Sequence, residues 1–138
     1  MKNLLKTVFI LLLLINSSCK TPQIVQTSND AYKLKENEQQ FLNKPLKNLL
    51  KEIKPEIKIA HGTLDYPSYF AFRFVSKEEI QRRNFDGTSL GLYVYVKEPI
   101  TEWNNGKRPK EIEYQWTKED LKKYGDFTVI EIKVIGKD

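Results

Sequence analysis

Apolar side chains recur along this chain with two different periods, and the change of period marks out its elements. From Phe41 to Ile53 the residues Leu42, Leu46, Leu49, Leu50 and Ile53 follow one stripe of a 3.6-residue repeat, which predicts an amphipathic helix. Asn43 is placed to cap its start with Pro45 in the first turn, and Pro55 ends it. Period two then takes over. Ile57 and Ile59 alternate with Glu56, Lys58 and Ala60; Phe70, Phe72 and Phe74 alternate with Tyr69, Ala71 and Arg73; Leu90, Leu92, Val94 and Val96 alternate with Tyr93, Tyr95 and Lys97. Three strands follow from this, the first two joined as an antiparallel hairpin through the loop Gly62 to Pro67. Ile112, Tyr114 and Trp116 predict a further extended segment, and Phe127 to Ile135 a last strand with Ile130, Ile132 and Val134 on one face.

Two short helices punctuate the strands. Ser76 with Glu79, and Thr117 with Asp120, have the spacing at which a side-chain oxygen and a backbone amide satisfy each other at a helix start. The first predicts a helix from Lys77 to about Arg83, ending near Asn84 to Gly87; the second one ending near Gly125. Pro99 to Pro109 reads as a loop carrying Trp103, a lid for the core edge. The expected fold is therefore α+β: one amphipathic helix packed on a small, mostly antiparallel sheet of about four strands, with two short extra helices. The helix would cover the Phe and Val face. Tyr69, Arg73, Tyr93 and Tyr95 would then gather on the opposite face, where aromatic rings and a guanidinium suit a wet recognition surface.

The first residues have another logic. Lys2 and Lys6 make a positive start, Val8 to Ile15 is an unbroken apolar run, and Ser17-Ser18 leads into Cys19. Eight apolar residues are too few for a permanent span, which needs roughly 20. Small residues immediately before a cysteine resemble a bacterial lipoprotein signal. Where that family usually has an aliphatic residue three before the cysteine, this chain has Asn16. The resemblance implies removal of residues 1–18, a diacylglyceryl group on Cys19 as the first mature residue, and anchoring in the cell envelope facing periplasm or exterior. Cys19 is the only cysteine, so no internal disulfide can form, and lipidation removes the thiol from any catalytic role. Residues 19–40, rich in Thr, Ser, Asn and Gln, read as a flexible tether with a reach of about 25 Å, and 41–138 as the folded domain.

Charge narrows the partners. The chain carries 23 basic and 18 acidic residues; without 1–18, which holds two lysines and no acid, 21 face 18. The bases are spread along the chain, Arg82-Arg83 and Lys107-Arg108 being dense pairs but not a concentrated patch, so nucleic acid is not an expected partner. No metal and no cofactor are expected either: His61 is the single histidine, and no Cys/His ligand spacing or glycine-rich phosphate cradle exists. Ser68, His61 and Asp65 write a nucleophile, base and acid on paper but crowd one hairpin loop. Asp65 with Glu111 or Glu113 is an equally uninformative carboxylate pair. The expected function is non-catalytic binding of a protein partner, toxin or envelope polymer; the alternative is a small envelope hydrolase.

Overall fold

Four strands, β1 (Ile59–Gly62), β2 (Tyr69–Arg73), β3 (Gly91–Val96) and β4 (Val129–Ile135), pair as one antiparallel meander in the order β1-β2-β3-β4. They belong to a computed structural model that describes residues 21–83, 88–103 and 107–138. The expected signal segment and Cys19, within residues 1–20, lie outside the described residues, as does Asn84 to Gly87. Short helices complete the α+β fold: α1 (Tyr32–Glu36), α2 (Leu46–Leu50), α3 (Lys77–Arg82) and α4 (Lys118–Tyr124).

One sheet face is the core. Ala60 opposite Phe72, Phe70 opposite Val94, Phe72 opposite Leu92 and Val94 opposite Ile132 send their side chains to the same side, where all are buried. Leu34, Leu46, Leu49 and Ile53 cover them from α1, α2 and the turn after α2, with Tyr124 from α4. Both capping pairs form: the Ser76 hydroxyl accepts the Glu79 amide at 3.2 Å, and the Thr117 hydroxyl accepts the Asp120 amide at 3.1 Å.

Three expectations are corrected by how the backbone spends its donors. The long helix shrinks to α2: the Asn43 amide donates to the Val129 carbonyl at 2.8 Å, and the amides of Leu46 and Lys47, which open α2 and have no partner inside it, donate to the carbonyls of Phe127 and Gly125 at 2.7 and 2.8 Å. Asn43 turns left-handed at φ 62° and Pro45 takes the N-cap position, yet the apolar stripe still buries Leu46, Leu49 and Ile53. The tether is not one either, from Thr21 onward. Val25 pairs with Ile53, its amide donating to Glu52 and its carbonyl accepting from Lys54, each at 2.9 Å, and Val25, Ala31 and Leu34 are fully buried. The extended segment around Tyr114 is a 3-10 turn, Lys110–Ile112, and a loop from which the Tyr114 carbonyl accepts the Ala60 amide.

Two faces are also reassigned. In β1 the small residues point inward: a Cβ on Gly62 would sit 2.9 Å from the Trp103 ring, so Gly62 makes room for an indole, and Ile59 goes to the open face opposite Arg73. In β4 a bulge opposite Tyr95 and Val96 shifts the alternation, so that Val129 is buried and Ile130 is exposed.

Candidate functional site

The face of the sheet opposite the core carries all four residues singled out above. Tyr69 stands opposite Tyr95, and Ala71 opposite Tyr93, with Arg73 completing that side of β2. The three tyrosines touch as a cluster: the Tyr69 ring lies 5.8 Å from Tyr93, edge-on, and 5.0 Å from Tyr95. Arg73 is fixed from its far end, donating to the Ser89 carbonyl at 3.1 Å, the Ser89 hydroxyl at 2.9 Å and the Tyr93 hydroxyl at 3.3 Å. Tyr93 reaches that position by lying over Gly91, where a Cβ would meet its ring at 2.8 Å. Only a glycine leaves that space.

The flanking strands extend the surface beyond what period-two reading on β2 and β3 could find. β4 adds Glu131 opposite Tyr95 and Lys133 opposite Tyr93, with the Lys133 ammonium 4.9 Å from the centre of the Tyr95 ring. β1 adds Ile59 and the exposed His61, and Ile135 is exposed at the end of β4. The signal for these residues is present as alternation: β1 takes the phase opposite to the one its isoleucines suggest, whereas in β4 Ile132 and Val134 keep the expected face and only Ile130 departs from it, at the bulge. Four strands thus present half-buried rings ringed by an arginine, a lysine and a glutamate. Such a surface offers apolar area with directed hydrogen bonds.

Both sheet edges have backbone donors that are already taken. On β4 the Ile132 amide donates to the Glu38 carboxylate at 3.1 Å, and the Val129 amide donates to the Lys44 carbonyl at 3.0 Å. Lys35, bonded to Glu38 at 2.7 Å, holds that carboxyl below its usual range against the opposing effect of burial, helped by the Ile132 amide. On β1 the Ala60 amide donates to the Tyr114 carbonyl at 2.7 Å. Strand addition, the commonest use of an open sheet, therefore has no free ladder at these positions.

Elsewhere the polar chemistry is structural. Trp103 and Trp116 stack at 6.2 Å over the core edge, with the Arg108 guanidinium 5.4 Å from the Trp103 ring. Arg108 pairs with Asp120, and the Tyr124 hydroxyl donates to the Glu102 carbonyl at 2.7 Å. Burial chiefly, and the neighbouring Asp120 charge, raise the Tyr124 phenol above its ordinary value. The paper triad does not assemble: the Ser68 hydroxyl is buried, donating to the Asp65 carbonyl at 3.1 Å and accepting the Ile100 amide at 3.0 Å, while His61 faces solvent.

One open groove of about 610 Å³ runs between the start of β1, α3 and the Lys110–Gln115 turn. It holds Glu56, Glu78 and Glu111, all exposed, interleaved with Lys58, Lys77 and Lys110, and Asp65 does not line it. Among the described residues no group of three or more His, Cys, Asp or Glu side chains could hold a metal ion, and no helix is long and apolar enough to cross a membrane. Comparison with protein-family models, with curated proteins and with solved structures finds no match to this chain.

Proposed function

We propose that this chain is a bacterial envelope lipoprotein, anchored through Cys19, that acts as a non-catalytic binding module through the tyrosine face of its sheet. The observation that carries the binding reading is the cluster Tyr69, Tyr93 and Tyr95: three touching rings, held from one side by Arg73 and left part-exposed by every described element. Rigid aromatic area loses little conformational entropy on contact, and a guanidinium already fixed by Ser89 adds no ordering cost. A protein surface or an envelope polymer suits a face of this kind better than a small molecule, which would need a concave site. The anchoring reading rests on the sequence around Cys19.

The reading is tested by placing a photo-crosslinking amino acid at Tyr69, Tyr93 and Tyr95 in turn, and separately at Lys118 on α4, in cells making the full chain. A discrete adduct from Tyr95 that is missing from Lys118 is expected. No adduct from positions 69, 93 and 95 would remove the case for a binding face.

A further inference from the structure

Resting on the anchoring reading above, we infer that the helical side of the domain docks on the anionic phospholipid surface that holds its own lipid, and that the tyrosine face is thereby turned away from the membrane. Three observations carry this. The first is the missing tether. Cys19 lies two residues before Thr21 and so, at no more than about 3.6 Å per residue, within about 7 Å of it. The chain is then fixed at once: the Gln23 side chain donates to the Lys51 carbonyl at 3.0 Å, the Ile24 amide to the Glu52 carboxylate at 3.1 Å, and Val25 is buried against Ile53. A lipidated Cys19 cannot let this domain drift far from the headgroups.

The second observation is charge. The segment reached by Gln23 and Val25 carries Lys44, Lys47, Lys51 and Lys54 against the single acid Glu52, a net of three. Residues 19–138 hold 21 basic and 18 acidic residues, so the whole positive balance of the mature chain is the balance of this one segment. All four lysines are exposed, and they flank rather than share the stripe of Leu46, Leu49 and Ile53 that is buried in the core. Lys47 also meets Asp126 at 2.8 Å, an exposed pair that leaves its charge largely available to solvent. Basic residues beside a lipid anchor are the second signal that a membrane-bound chain commonly adds, each worth a several-fold gain in attraction to anionic lipid.

The third is orientation. α2 packs on the core face of the sheet, whereas Tyr69, Tyr93, Tyr95 and Lys133 occupy the other face. A membrane against the lysines on and beside α2 therefore leaves the tyrosines facing outward.

The test uses the full chain purified from membranes and reconstituted in vesicles of phosphatidylcholine alone or with phosphatidylglycerol. Amine acetylation is followed at each lysine by mass spectrometry, which also reads the modification of Cys19. Labelling of Lys44, Lys51 and Lys54 should slow by about five-fold when phosphatidylglycerol is present, while Lys133 is unchanged, and high salt should remove the difference. Equal rates in both vesicles on an acylated chain overturn this inference alone. Slowing confined to Lys133 overturns it as well, because the domain would then lie the other way up. An unmodified Cys19 overturns the anchoring reading and this inference with it.

Discussion

The Asp120 carboxylate ties Arg108 to the start of α4: one oxygen takes the Arg108 guanidinium, and the other accepts the Thr117 amide at 2.8 Å. Asp120 is only 3% exposed, so its charge is held by these partners and not by water. Arg108 in turn donates to the Gln115 carbonyl at 3.0 Å and lies over Trp103, which brings the Trp103–Trp116 stack under the same contact. Removing Arg108 leaves a buried carboxylate without its cation. Arg108→Ala is expected to cost about 3–5 kcal/mol in a urea titration, and Arg108→Ala with Asp120→Asn less than the sum of the two single changes, because the pair is coupled.

Leu34 distinguishes a folded N-terminal segment from a tether. It is fully buried in the same core as Leu46, Leu49 and Phe72. Leu34→Ala should lower stability by about 2–5 kcal/mol, as should Leu49→Ala. An unchanged urea midpoint for Leu34→Ala would mean that residues 21–40 do not pack as described.

Acid should loosen the sheet edge. Burial opposes the charged form of Glu98, but the Thr128 amide and hydroxyl, donating to its two oxygens at 2.6 and 2.7 Å, outweigh it and hold the carboxyl below its ordinary value of 4.5. Glu38 is held below the same value chiefly by Lys35. Both groups bind protons in the unfolded chain before they do in the folded one. Their contribution is therefore complete above about pH 4.5 and is lost as the pH falls through the depressed folded values. Glu98→Gln should lower the melting temperature at pH 7 and flatten its decline between pH 5 and 3, an outcome read from melting curves across that range.

The tyrosine face predicts unequal costs within one cluster. Tyr93 lies over Gly91 and accepts from Arg73, so Tyr93→Ser should lower stability by about 1–3 kcal/mol. Tyr95, partnered by Tyr69 and the exposed Lys133, should lose less when changed to Ser. Thermal melts rank the two, and a larger loss for Tyr95→Ser would contradict this geometry.

Cys19→Ala should abolish incorporation of labelled fatty acid and release the chain from the membrane fraction. Label entering the variant, or never entering the native chain, would exclude lipidation at this residue.

Local pattern determined much of this molecule. Strict alternation in β2 and β3 places Phe70, Phe72, Leu92 and Val94 on one side and Tyr69, Arg73, Tyr93 and Tyr95 on the other, because the period of a strand leaves no third choice. The caps at Ser76 and Thr117 are legible for the same reason: donor and acceptor lie three residues apart. Tertiary structure decided where long-range partners compete for the same groups. The amides of Asn43 and of Leu46, the first residue of α2, are taken by the carbonyls of Val129 and Phe127, more than 80 residues away. Val25 and Leu34 lack any periodic companions, and only Ile53 and the sheet, distant in sequence, give them a place to be buried. The phase of β1 goes with bulk: Trp103 packs where Gly62 leaves room, a place the opposite phase would give to a neighbour with a side chain, and Ile59 accordingly lies on the open face. The closeness of Gln23 and Val25 to the lysine-rich segment follows from the same contacts, since a polar N-terminal stretch reveals nothing of its length in space until its few apolar residues find their partners.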